Sequence, residues 1–150
     1  MEREFMSWSD DLSVGIQEID EQHRILINLI NRLFNEGLIK HNTSVANEVL
    51  AELVQYTVIH FAVEESLFRI FDYPGYEAHK AQHEDLKNQV MELKIKVELG
   101  KEISTELISF LRNWLKNHIV QEDKKYSNFF AEKGLQKKWA KKSWLGNIWG

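Results

Sequence analysis

Four stretches of this chain set apolar residues three and four positions apart, the spacing that lines one face of an α-helix. The first, over 17–36, carries Ile19, His23, Leu26, Ile30 and Leu33 along its stripe. The second, over 44–72, carries Leu53, Tyr56, His60, Glu64, Leu67 and Phe71. The third, over 76–98, continues with His79, His83, Leu86, Val90, Leu93 and Val97, and the fourth, from near Ser104, shows Leu107, Leu111, Leu115 and His118. Punctuation falls between them. Gly37 is placed to end the first helix, and Asn42, Thr43 or Ser44 to cap the second. The Tyr73-Pro74-Gly75 corner stops the second, because proline disfavours helix in the residue before it. Gly100 marks the next corner. Residues 1–16 have no helical period, yet hold Phe5, Trp8, Leu12, Val14 and Ile16, which are expected to pack across the outside or end of the helices. No internal repeat or linker interrupts the pattern. The expected fold is all-α: an up-down-up-down four-helix bundle with an irregular N-terminal segment and a short C-terminal extension.

The stripes are not wholly apolar. His23, His60, His79, His83 and His118 occupy slots that otherwise hold leucine and valine, and so does Glu64. His60 with Glu64, and His79 with His83, are each four apart, so each pair stacks on one helix face. A single histidine in such a stripe is more often a hydrogen-bonded core residue than a ligand, and one four-spaced pair can be a helix-stabilising contact. Together the set reads differently, because it draws on all four helices. Removing so many polar groups from water is costly unless something compensates, and a metal is the natural candidate. His41 stands apart, in the loop before helix two, and is expected to face solvent.

Composition narrows the chemistry. The chain has 150 residues, 43% of them hydrophobic, enough for one domain with a real core. It has no cysteine, which removes disulfides, thiolate zinc sites and cysteine nucleophiles, so a metal must be held by nitrogen and oxygen. A net charge of −4 argues against nucleic acid as the partner. The N-terminus lacks a signal-peptide core and no apolar run approaches membrane-spanning length. The expectation is a cytoplasmic protein with no integral membrane association.

The last residues change character. The first 134 hold 15 basic against 23 acidic side chains, whereas 135–150, LQKKWAKKSWLGNIWG, hold four lysines, three tryptophans and no acid. The division expected is a bundle domain over 1–134 and a basic, Trp-rich tail over 135–150. On a helical wheel Trp139 and Trp144 fall far apart, which is poor geometry for lying in a membrane surface. The preferred reading docks Trp139, Trp144 and Trp149 on the bundle and leaves the lysines solvated. Contact with a membrane surface or a protein through 135–150 is the other.

With these residues in place, the chain resembles the haemerythrin family, in its single-domain bacterial form. The resemblance rests on Trp8, Val14-Gly15-Ile16, Ile19-Asp20 and Gln22-His23, then His60-Phe61 with Glu64-Glu65, then Tyr73-Pro74 with His79 and His83. It ends on Trp114-Leu115, His118-Ile119 and Asp123. It implies two non-haem iron ions, oxo- or hydroxo-bridged: His79, His83 and His118 on one, His23 and His60 on the other, Glu64 and Asp123 shared between them. Glu65 is expected to point off the site. Imidazole suits several transition metals, so the identity of iron comes from the resemblance alone. Asp123 is the ligand that simple geometry does not supply. Five residues on a regular helix turn it about 140° from His118, whereas Glu122 at four would align. Read locally, Asp123 would cap a short helix running to 133; the resemblance, which makes it a ligand, implies instead a bulge or helix break near 119–123, and that is the expectation here.

The function implied is reversible dioxygen binding, as carrier, store or delivery, and not enzymatic turnover. Leu115 lies three before His118 and Leu26 three after His23, so both project toward the metals. By the resemblance Leu26, Phe61, Trp114 and Leu115 line the ligand pocket. Two other classes are set against this reading. A di-iron peroxidase or oxidase would be richer in carboxylates and would show a second acid–base constellation, which the sequence lacks. An oxygen- or iron-sensing module would need an output domain.

Overall fold

The computed structural model describes residues 3–132, so the tail over 135–150, its tryptophans and the division at 134 lie outside the described residues. Among those described there are four long helices and no strand. Helix α1 spans Gln17–Leu33, α2 Thr43–Ile70, α3 Tyr76–Glu98 and α4 Thr105–Asn117; a further helix, α5, covers Lys124–Glu132. The helices α1, α2 and α3 pack successively, and α4 returns against α1, which is the expected bundle. No described helix is long and apolar enough to cross a membrane.

Helix ends follow local chemistry, with two departures from expectation. Asn42 is the cap selected for α2, its side-chain oxygen accepting from the Val45 N–H at 3.3 Å, and Ser104 caps α4 through the Leu107 N–H at 3.2 Å. Gly100 turns the α3–α4 corner at φ 107°, where glycine has no steric penalty. Helix two ends at Ile70 rather than 72, because Asp72 takes a left-handed φ of 52° ahead of the proline. Gly37 does not stop the first helix. The chain passes through it in a π-helical turn, Phe34–Ile39, and the reversal comes at His41, φ 54°. Gly37 is there for space: a Cβ would stand 2.8 Å from Ile103.

The N-terminal segment is fastened across the bundle by two asparagines. Asn31 accepts from the N–H groups of Phe5 (3.0 Å) and Met6 (2.8 Å) and donates to the Met6 carbonyl (2.8 Å). Asn35 makes the same two-way contact with Arg3, 2.8 Å in each direction. These side chains replace the backbone partners that an irregular segment lacks. Phe5 then stacks on Phe34, with centroids 4.7 Å apart. Nearer α1, Asp20 holds the turn by accepting from the Val14 N–H and the Ser13 hydroxyl.

Buried apolar side chains form two clusters. The larger takes Leu26–Leu33 of α1, Val49–Phe61 of α2, Val90 and Val97 of α3, and Leu107–Leu115 of α4. The smaller takes Ile16, Ile19, Leu67, Phe68, Tyr126 and Phe130. Along α1 the order is Ile19, His23, Leu26, and along α2 it is Phe61, Glu64, Leu67. The polar stripe positions therefore form a layer between two apolar ones.

Replacing Asn31 by Ala removes three hydrogen bonds to the N-terminal segment and should cost ~1–3 kcal/mol. Amide exchange of residues 3–8 should accelerate while that of α2 and α3 stays unchanged. Uniform acceleration across the bundle would show that the segment is not held separately.

Candidate metal centre

Seven polar side chains meet in the layer between the two apolar clusters. His23 comes from α1, His60 and Glu64 from α2, and His79 and His83 from α3. His118 and Asp123 come from the π-helical turn His118–Asp123 that joins α4 to α5. Each is at most 4% exposed. Two overlapping groups bring one donor atom per residue within 4.8 Å of one another: His23, His60, Glu64, His118 and Asp123, then His79, His83, His118 and Asp123. His118 and Asp123 belong to both.

The π-helical turn explains Asp123. A regular helix would rotate it away from His118, but a turn closed by i→i+5 bonds brings residues five apart nearly into line. Asp123 Oδ2 stands 3.0 Å from His118 Nε2. The bulge, and not the helix cap, is what the backbone adopts.

The spacing has a recognisable scale. His23 Nε2 lies 2.8 Å from Asp123 Oδ2, and His79 Nε2 lies 3.1 Å from Asp123 Oδ1. Glu64 Oε1 is 3.2 Å from both His60 Nε2 and His83 Nε2, and 3.3 Å from His118 Nε2. Ligand atoms ~2.1 Å from one ion and at right angles to each other stand about 3 Å apart, which is the separation seen. Glu64 Oε1, Asp123 Oδ2, and the Nε2 atoms of His83 and His118 are all buried without a hydrogen-bond partner. Such orphaned atoms are rare in a folded core. Here they face one another, and a cation bound among them would satisfy all four. The donor set, imidazole nitrogen and carboxylate oxygen, fits a first-row transition metal.

Charge in the cluster follows from burial and proximity. Burial is the largest influence on Asp123 and opposes its ionisation, yet His118 and His23 hold its carboxyl down to about 2. Glu64 is likewise held well below the usual range against its own burial, by His60, His118 and His83. For His118 burial again disfavours charge, but Asp123 and Glu64 outweigh it and lift the imidazole to about 10. His60 goes the other way, to about 3, because burial there exceeds the pull of Glu64. The two carboxylates thus draw positive charge into a space closed to water.

Three further residues orient this set. His60 Nδ1 donates to Gln22 Oε1 at 2.7 Å, and His83 Nδ1 donates to Glu65 Oε2 at 2.9 Å. Each bond fixes the tautomer that turns the Nε2 lone pair inward. Glu65 does point off the centre, as expected, but it holds a histidine there. Tyr126 donates its O–H to Glu64 Oε2 at 2.7 Å, and Oε1 is the oxygen that faces the histidines. Its phenol is pushed well above the ordinary value, by burial first and then by Asp123 and Glu64, so it keeps its proton. Gln22 and Tyr126 were missed as site residues, although the signal existed. Gln22 falls three after Ile19 and four before Leu26; Tyr126 falls three after Asp123 and four before Phe130.

The expected pocket residues are all buried, Leu26 and Leu115 completely. Phe61 touches the polar layer directly, stacked on His83 at 3.9 Å and tilted against His118 at 4.9 Å. Trp114 stands behind it, centroids 6.4 Å apart, and ties α4 to α3 through Nε1–H to the Leu86 carbonyl. Leu26 and Leu115 pack in the same apolar cluster as Phe61 and Trp114. His41 is exposed in its loop and takes no part in the cluster.

Replacing Tyr126 by Phe removes a charge-assisted bond to a buried carboxylate, and should cost ~1.5–3 kcal/mol of stability. Chemical denaturation of the variant beside the parent measures it. A change below ~0.5 kcal/mol would mean that Glu64 does not depend on the phenol.

Comparison with known proteins agrees with this geometry. Residues 14–129 match the hemerythrin HHE cation-binding domain. The chain is 40% identical over 121 residues to the bacteriohemerythrin of Stenotrophomonas maltophilia, covering 81% of this chain and 78% of that one. It is 40% identical over 119 residues to the bacteriohemerythrin of Pseudomonas aeruginosa, covering 79% and 77%. A crystal structure of wild-type hemerythrin superimposes with a TM-score of 0.77 at 30% identity, covering 83% of this chain and 96% of that one. With a cation-binding domain matched across the layer where seven buried ligand-type side chains converge, the chain belongs to the hemerythrin family.

Proposed function

We propose that this protein binds dioxygen reversibly at a non-haem di-iron centre. His79, His83 and His118 would hold one iron, His23 and His60 the other, with Glu64 and Asp123 shared. The observation that carries the reading is the convergence of five buried imidazoles and two buried carboxylates on one space, their inward atoms left without other partners. Two ferrous ions held there would supply the electrons that reversible dioxygen binding draws on.

The surrounding residues serve such a centre in distinct ways. Asp123 turns Oδ1 to His79 and Oδ2 to His23 and His118, so its two oxygens face both groups of histidines. Glu64 faces both groups through Oε1, while its Oε2 accepts from Tyr126. Gln22 and Glu65 hold His60 and His83 in their ligating tautomer. Leu26, Phe61, Trp114 and Leu115 wall the centre with apolar surface and exclude the water and anions that would displace a bound small ligand. A carrier needs that exclusion.

The direct test is spectroscopic. The protein is reduced without air, exposed to oxygen, then deoxygenated, and a visible band should appear and disappear with each cycle. Irreversible bleaching, or steady turnover of peroxide without a stable band, would refute the carrier reading.

Two variants test its parts. Glu64→Ala removes a shared anionic ligand, so at least one of the two irons should be lost and the melting temperature should fall, since metal binding is linked to folding. Elemental analysis finding two irons per chain would contradict the assignment. Leu115→Ala should keep both irons yet autoxidise and bind azide several-fold faster. Were Leu115 core packing alone, the change would cost ~2–5 kcal/mol of stability and leave both rates alone.

A further inference from the structure

We propose that the outer face of α2, from Val58 to Ile70, is the docking surface for the basic, Trp-rich segment 135–150 of this same chain. The argument starts from α2 itself. From Leu53 to Val63 the helix has no Asp, Glu, Lys or Arg on any face. Inward, His60 and Phe61 are buried. Outward, Gln55, Val58, Ile59 and Ala62 are exposed, Val58 to 43% and Ile59 to 41%. The acids that follow turn away from this face: Glu64 to the metal layer, Glu65 to His83. Ile70, 55% exposed, extends the stripe toward the end of the helix. Ile25 of α1, also exposed, stands one turn from Glu21, whose charge acts on Tyr56 of α2. A helix that is apolar all round is ordinarily covered all round, and a contiguous exposed apolar strip marks an interaction surface.

Charge selects the occupant. Helices α1 and α2 together carry seven acidic side chains, three arginines and no lysine. Helix α3 holds five acids against four lysines, and residues 105–132 hold four acids against four bases. The excess of negative charge therefore lies on the helix pair that also holds the uncovered strip. Residues 135–150 carry four lysines and no acid. The other exposed apolar stripe, Met91, Ile95 and Leu99 of α3, is bordered by Lys94 and Lys96 and lies at the far end of the bundle from α5.

Reach agrees with charge. Helix α5 ends at Glu132, and its Phe130 packs edge-on against Phe71, at the close of α2. From Phe71 back to Ile59 is about 18 Å along the helix axis. Trp139, seven residues beyond Glu132, can lie up to about 23 Å from it, and Trp144 farther still. Indole rings would supply broad apolar faces to Val58, Ile59 and Ala62. Lysine stems would cross the same surface with their ammonium groups among Glu18, Glu21 and Glu52. The cover would lie directly outside the turn of α2 that presents His60 and Glu64 inward. Nothing in this inference depends on dioxygen binding.

The test is proximity within the full chain. It has no cysteine, so introduced thiols react without background. One double variant joins Ser143→Cys to Ala62→Cys, on the proposed face; the other joins Ser143→Cys to Asn113→Cys, exposed on α4. Each is treated with a short bismaleimide at low protein concentration, and the product within one chain is followed by mass spectrometry. Linking to position 62 should be at least ~10-fold faster than linking to position 113, because docking raises the local concentration of one thiol at the other. Adding Ile59→Lys to the first pair sets a cation in the strip and should slow its linking at least ~5-fold. Equal rates for the two pairs, faster linking to position 113, or undiminished linking with Ile59→Lys would each overturn the proposal. So would a predominance of product between chains, which would give the face to a second copy. Vesicles of phosphatidylglycerol that abolish the linking to position 62 would also overturn it, by giving the segment to a membrane surface.

Discussion

Seven ionisable side chains sealed between two apolar clusters set the terms for the rest of this fold. Burying one such group unpaired costs several kcal/mol; burying seven is tolerable only if they compensate one another or a cation compensates them. The carboxylates of Glu64 and Asp123 lie within 3.3 Å of five imidazoles taken together, and they pull positive charge inward against the cost of burial. An apolar bundle of the same size would be simpler to fold. Retaining the layer makes sense as a functional expense, with metal binding supplying what the protein alone leaves unsatisfied.

Positioning these groups requires helices that do not slide. Helices α1 and α2 cross the layer and are anchored on both sides, by Ile19 and Leu26 around His23 and by Leu67 and Phe61 around Glu64. The one place where a regular helix cannot deliver the geometry is the end of α4. There the backbone widens into a π-helical turn, and His118 and Asp123 reach the same point from positions five apart. Such turns are uncommon and concentrate at functional sites, because they trade regular hydrogen bonding for a side-chain direction.

Around the layer, a second set of residues fixes direction rather than contact. Gln22, Glu65 and Tyr126 each hold one member of the cluster by a single bond of 2.9 Å or less. Phe61, stacked on His83 with nearly parallel rings, closes the side toward the larger apolar cluster. The arrangement gives each inward atom one orientation, the preorganisation that a metal site needs to bind tightly and select geometry.

Much of this was determined by the sequence itself. Helical spacing put His23, His60, Glu64, His79, His83 and His118 among leucines and valines on four helices, and burial of a stripe is a property of spacing alone. The four-helix architecture, the α2–α3 corner at Pro74 and the start of α4 near Ser104 were equally legible, and the cap of α2 was narrowed to Asn42, Thr43 or Ser44, because turn and cap chemistry is local. What the sequence left open depended on contacts between distant segments. Gly37 looked like a helix stop until the packing of Ile103 against it showed a spacing requirement. Asp123 could not be placed from periodicity, since a π-helical turn has no sequence signature and is paid back only by the tertiary contacts it creates. Gln22 and Tyr126 sat at helical stripe positions in the sequence, but their partners lie 38 and 62 residues away. Local spacing tells which side chains face inward; only the packed bundle decides which of them meet.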